Sequence, residues 1–423
     1  MVNRDELVAL RREFHRHPEE GWQEFWSTSR VAGELDDLGF ALHFGAEILE
    51  PAHRLGVPDE ASLSAAKERA RAWSGPDYYD RIGDVTGLLA ERSFGDGPTV
   101  TIRCDLDALP ITEAADDDHR PASEAFASEN PGTMHACGHD VHLAIALGIA
   151  HALDEDAGAF DGTLRLLFQP AEEGLRGGYP LSQSPFLRDT DYFFGYHVGL
   201  GLPSGAIAAG ARDFLASTKL DATFEGESAH AGQSPQAGRN ALQAATTAAD
   251  NLLGIPRHGD GATRINVGTI EGGTTRNAIP ADATLELEVR GETTSLNAYM
   301  EAHATRMLRS AGDVHDVSVD VSPCGRAIAT TSSSALVELT ERGLRDSGAV
   351  PTVHRHHSVG VSEDATYLMD AVAANGGEAT YLVVGSDLPS DHHTARFDVD
   401  ESVLRPAVEA FAYLLRVTLP DDV

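Results

Sequence analysis

The sequence predicts an α/β protein with a large domain on a mainly parallel sheet and a smaller α+β domain inserted into it. Three observations carry this expectation. Over the first ~210 residues, helical patterns alternate with short strand-like apolar runs. From about Arg212 the texture changes to longer alternating strands with two helices. After about Ala329 the α/β texture returns. The expected large domain is therefore 1–212 plus 329–423, and the small domain is 213–328.

The elements follow in chain order. "RDELVALRREFHRHP" sets Leu7, Leu10 and Phe14 at helical spacing, and "TSRVAGELDDLGF" does the same with Val31, Leu35 and Leu38. Residues 45 to 85 break the rhythm; they are polar and helix-leaning, which reads as a surface insertion. "PTVTIRC", "GTLRLLFQP" and "TDYFFGYHV" are short runs rich in β-formers, each closed by Pro, Gly or a polar cluster. Between them, "HLAIALGIAHAL" is an apolar helix. In the middle region "KLDATFEG", "RINVGTIEGG" and "ATLELEVRG" alternate as strands, while "GRNALQAATTAADNLLGI" and "SLNAYMEAHATRMLRSA" are helical. The last part supplies helix "SSALVELTERGLRDSG", strand "ATYLVV" and helix "ESVLRPAVEAFAYLLRV".

Charge narrows the partners. There are 66 Asp and Glu against 32 Lys and Arg, and Lys67 and Lys219 are the two lysines. Such a surface argues against nucleic acid and anionic membranes. It suits molar salt, where the Debye length is about 3 Å and like charges barely repel. No apolar run is long enough to span a bilayer, and the charged start "MVNRDELVALRREFHRHPEE" predicts a cytoplasmic protein. Cys104, Cys137 and Cys324 are too few and too widely spaced for a disulfide framework.

Five polar clusters each follow a predicted strand or precede a helix. "TIRC" runs into Asp105 and Asp107, "LRLLFQP" into Glu172 and Glu173, and "DYFFGY" into His197. "ATYLVVGS" leads through a loop to His392 and His393, and "MHACGHDVH" precedes a helix. In open α/β sheets, sites form at the carboxyl ends of strands. Cys137 and His139 put two ligand types two residues apart, a pattern suited to zinc, manganese or cobalt; a lone Cys also serves as a small buried hydrophobe. Adjacent carboxylates at 172 and 173 allow one to bind metal and the other to move protons. His354, His356 and His357 read as surface residues.

In this order, "REFHRHPEEGWQE", "RCDLDALPITE", "MHACGHDVH", "FQPAEEG", "GYHVG", "ESAHAGQSP", "RNAIP", "SEDAT" and "HHTARFDVDE" resemble the amidohydrolase branch of the aminoacylase and glutamate carboxypeptidase metallopeptidase family. The resemblance covers nearly the whole chain. It implies a catalytic large domain with two divalent ions, manganese or zinc with cobalt as a further candidate, and a small lid domain that also dimerises. Carried over by motif, the ligands are Cys137, His139, Glu173, His197 and His393. Glu172 falls on the general base, and His230 on a lid histidine that reaches the partner subunit's site. Asn277 and Arg290 fall on substrate-holding positions. Val141 departs from the family's usual Gly. The implied reaction is hydrolysis of an N-acyl amino acid, with an aroyl-glutamate such as p-aminobenzoyl-glutamate as one candidate. The alternatives are a broad N-acyl-amino-acid or hippurate-type hydrolase, and a weakly active partner of a paralogous subunit in which the metal is structural.

Overall fold

A computed structural model describes residues 3–417. The chain divides into two compact units. One runs through Arg212 and resumes with Thr330–Gly360 and from Asp364 onward; the other is Asp213–Ala329 with Val361–Glu363.

The strands, in chain order, begin with β1 (Ala41–Phe44), β2 (Leu88–Ser93), β3 (Thr99–Asp105), β4 (Thr163–Gln169), β5 (Tyr192–Val198), β6 (Ala206–Ala208) and β7 (Ala211–Arg212). They continue with β8 (Ala216–Glu225), β9 (Thr263–Gly272), β10 (Asp282–Gly291), β11 (Ser318–Ala327), β12 (Thr352–His354), β13 (His357–Ser358) and β14 (Glu378–Val384).

In the first unit an eight-stranded sheet runs β1-β2-β4-β3-β5-β14-β6-β12. Its centre, β4-β3-β5-β14, is parallel, and antiparallel pairings flank it at β2 and β6. Every residue of β5 is buried, as expected for a strand covered on both faces. The helix His139–Asp154 packs between the helices Arg4–Arg16 and Leu404–Val417, and nearly all of it is buried. That is why its sequence is apolar all round rather than striped.

The insertion between β1 and β2 carries the helix Glu60–Ala72, capped by the Asp59 carboxylate, which accepts from the Ser62 amide. Most of that helix is exposed. Its loops are tied down: Trp22 Nε1 donates to the Leu55 carbonyl at 2.8 Å, and Trp26 Nε1 to the Ser74 carbonyl at 3.0 Å.

The second unit is a four-stranded antiparallel sheet ordered β11-β8-β10-β9. Burial alternates along β8 and β10, so one face is dry. The helices Ala241–Leu253 and Thr294–His315 cover that face, with Met300, Ala304 and Leu308 against Leu220, Phe224 and Leu285.

Candidate metal centre

The central parallel strands all deliver the chain to one sheet edge. β3 ends at Asp105, β4 at Gln169 just before the 170–177 turn, and β5 at Val198 just after His197. The helix that carries His139 starts straight after Gly138, whose φ of +92° is left-handed. A Cβ on Gly138 would lie 2.4 Å from Cγ1 of Val198, so the turn requires glycine. Val141 sits fully buried in the first turn of that helix and donates its amide to the Gly138 carbonyl, which accommodates the departure from glycine there.

The side chains converge. Cys137 Sγ lies 3.3 Å from His197 Nε2. His139 Nε2 lies 3.7 Å from Glu173 Oε1 and 3.9 Å from Glu172 Oε2. His393 Nε2 lies 3.4 Å from Glu173 Oε2, so the two oxygens of Glu173 face two different histidines. Potential ligand atoms fall into overlapping groups within 4.8 Å: Cys137, His139 and His197; Cys137, Glu173 and His393; His139, Glu172 and Glu173. Bonds of about 2.0–2.3 Å in a tetrahedral shell set neighbouring ligands about 3.3–3.8 Å apart, so these separations suit a divalent ion. His392 stands aside, with Nε2 3.3 Å from the Val198 carbonyl and its ring against Phe397.

Two further properties fit a cation. His139 Nδ1 donates to the Asp107 carbonyl at 2.7 Å, which leaves the buried Nε2 without a hydrogen-bond partner among the described residues. His197 is set the same way by Nδ1 and the Val198 carbonyl. The field is also cation-seeking. Burial opposes charge on His139, yet Asp105, Asp107 and Glu173 hold its imidazolium up to about 10. Burial pushes Glu173 up to about 7 against the pull of His139, and burial and then Glu173 raise the Cys137 thiol. A divalent cation reverses the balance for all three: it displaces the proton from His139 Nε2 and favours the ionised carboxylate and thiol. The soft thiolate, imidazole and carboxylate set suits zinc, manganese or cobalt.

Sequence patterns pointed to Asp105 and Asp107 as clusters but not to what they do. Asp105 Oδ1 lies 2.5 Å from His142 Nδ1, and its Oδ2 accepts from Arg103 Nη1 at 3.0 Å. The other His142 nitrogen accepts the Val198 amide. Asp107 accepts from the Glu172 and Glu173 amides, at 3.0 Å each. The signal was only the position after β3; the contacts join segments far apart in sequence.

In the second unit His230 is exposed, and its Nδ1 accepts from the amides of Gly232 and Gln233. It is bridged to Ala278, beside Asn277, so these two candidates form one group. Arg290 is not part of that group. It sits near the far end of β10, where its Nε donates to Glu288 Oε2 at 2.9 Å. Eight steps along the strand separate it from Asp282, about 27 Å at 3.4 Å per residue. Among the other histidines, His354 and His356 are exposed, but His357 is half-buried with Nε2 2.8 Å from the Leu200 carbonyl; the surface reading fails for it. Cys104 is core filler.

A family model described as peptidase family M20/M25/M40 matches residues 101–417. The chain is 42% identical over 411 residues to the indole-3-acetyl-aspartic acid hydrolase of Enterobacter agglomerans, across 96% of this chain and 94% of that one. It is 40% identical over 410 residues to one subunit of the p-aminobenzoyl-glutamate hydrolase of Escherichia coli (strain K12), with 96% and 94% covered. The crystal structure of the aminobenzoyl-glutamate utilization protein from Klebsiella pneumoniae matches with a TM-score of 0.85 at 35% identity, over 99% of this chain and 98% of that one. The thiol, imidazoles and carboxylates described above thus lie within a family match that takes in three quarters of the sequence, and the chain belongs to peptidase family M20/M25/M40.

Proposed function

We propose that this amidohydrolase splits the amide between a flat aromatic acyl group and an acidic amino acid, with p-aminobenzoyl-glutamate as the leading substrate. The relatives named above pair an aromatic acyl group with aspartate or glutamate. The observation that carries the reading is the convergence of Cys137, His139, Glu173, His197 and His393 around shared ligand positions, with the Glu172 carboxylate beside them.

In this reading those five residues hold two divalent ions, manganese or zinc, with cobalt as a substitute. Such a pair would polarise the amide carbonyl and lower the pKa of an adjacent water. Glu172 takes the proton of the attacking water and returns it to the leaving amine. His230 donates a hydrogen bond to the oxyanion, acting across a homodimer. Asn277 and Arg290 hold the substrate, from separate positions in the second unit. A ligand thiolate at Cys137 needs a reduced thiol, which favours the cytoplasm. The Escherichia coli relative is one subunit of its hydrolase, which supports a paralogous subunit as a second candidate partner.

The test is hydrolysis by the purified chain in molar salt with manganese, over p-aminobenzoyl-glutamate, indole-3-acetyl-aspartate, hippurate and acetyl-amino acids. A tenfold or greater preference for hippurate moves the function to a broad N-acyl-amino-acid hydrolase. Metal binding with no turnover until a second protein is added moves it to a partner subunit with structural metal.

A further inference from the structure

The "HPEEGWQE" stretch, residues 17–24, carries three acidic side chains ahead of the helix Phe25–Asp37. Two of them are fully buried: Glu19 and Glu24. Glu19 caps that helix from outside, accepting from the Trp26 amide at 3.0 Å and the Ser27 amide at 2.8 Å. Glu24 stands at the N-cap position but makes no side-chain cap bond to its own helix. Its carboxylate points the other way. Oε1 accepts from the Ala171 amide at 2.7 Å, and Oε2 accepts from the Thr86 hydroxyl at 2.6 Å.

Ala171 is the residue before Glu172, and its φ of +56° is left-handed. A non-glycine residue there is strained unless its surroundings over-determine it. Here they do. Asp107 accepts from the Glu172 and Glu173 amides. Three successive N–H groups, of Ala171, Glu172 and Glu173, are thus each held by a buried carboxylate oxygen from elsewhere in the chain. Such a concave run of amides is an anion-binding nest, and here its anions are fixed side chains. Close packing leaves the support no slack: a Cβ on Gly21 would lie 3.0 Å from Ala171 Cα.

We propose that Glu24 is a positioning residue for catalysis: by holding the Ala171 amide it fixes the left-handed turn that aims the Glu172 carboxylate. This rests on the reading of Glu172 as the base. Glutamine at this position keeps an oxygen for the Ala171 amide, while Thr86 turns to accept from its NH2.

The experiment compares Glu24→Gln, Glu24→Ala and Thr86→Val with the wild type, in molar salt and manganese, following kcat, KM, bound metal and the acid limb of the kcat–pH profile. A misplaced group of about 1 Å costs on the order of 10²-fold in rate. Glu24→Ala should therefore lose about 10²-fold in kcat, with KM and metal content within about threefold, and its acid limb should move. Glu24→Gln should recover most of that kcat. Thr86→Val removes only the second bond and keeps the proposal testable should Glu24→Ala not fold; its kcat should fall several-fold at unchanged KM. Folded Glu24→Ala with kcat within twofold of wild type overturns the proposal. So does a Glu24→Gln variant as slow as Glu24→Ala, or, where Glu24→Ala does not fold, a Thr86→Val variant with wild-type kcat. Failure of the base assignment itself would show separately, as a normal rate in Glu172→Gln.

Discussion

Cys137 Sγ and His197 Nε2 lie 3.3 Å apart, both buried, although 60 residues separate them in the chain. The helix start at Gly138 delivers one and the end of β5 the other. In the proposed reading the thiolate is a ligand rather than a nucleophile. Cys137→Ser should therefore weaken metal binding, and excess manganese should restore part of the rate. Metal analysis after dialysis, alongside the rate at rising manganese, checks this. Wild-type metal content in the variant would remove Cys137 from the ligand set.

The adjacent carboxylates make a sharper test. Glu172→Gln keeps size and hydrogen bonding but cannot accept a proton. Its rate should drop by the 10²–10⁴-fold typical of a lost general base, with metal retained. Glu173→Gln should lose metal as well as activity, because an amide is a poorer ligand than a carboxylate. Side-by-side metal content and rates decide; the opposite pattern would exchange the two roles.

Salt should govern stability. With a formal net charge of −34, carboxylate self-repulsion grows as screening falls. The melting temperature should rise from low salt to molar KCl, and activity should follow. An unchanged melting temperature across that range would return the acidic surface to simple solubility.

Complementation tests the assembly. Chains carrying His230→Ala, mixed with chains carrying Glu172→Gln, should regain activity if His230 serves the partner's site, because some mixed dimers hold one intact site. Verified heterodimers with no recovery would confine His230 to its own chain.

Much of this fold was written in local pattern. The alternation in "KLDATFEG" is the alternating burial of β8, and the unbroken apolar run "YFFGYHV" is the doubly covered β5. The clusters that converge at the candidate metal centre were legible because ligand chemistry restricts residue type and strands end where sites form; the choice of Glu173 over Glu172 and of His393 over His392 came from the resemblance alone. The supports were not. Arg11 binds Asp140, one residue from His139, at 2.7 Å and also Asp398, 387 residues away, at 3.0 Å; no periodicity marks such a partner. Glu24 stands at a helix N-cap position, yet its side chain holds a turn nearly 150 residues on. The resemblance supplied Asn277 and Arg290 as one set, and register alone separates them.

That separation has a consequence for how substrates are shared. β10 is hydrogen-bonded to β8 in unbroken register from Asp282 to Gly291, so its length is fixed. A ligand the size of an aroyl-amino acid cannot reach from Arg290 past Asp282 to His230 and Asn277 on one copy of the chain. Under the proposed roles, the two ends of the strand therefore address two different substrate molecules.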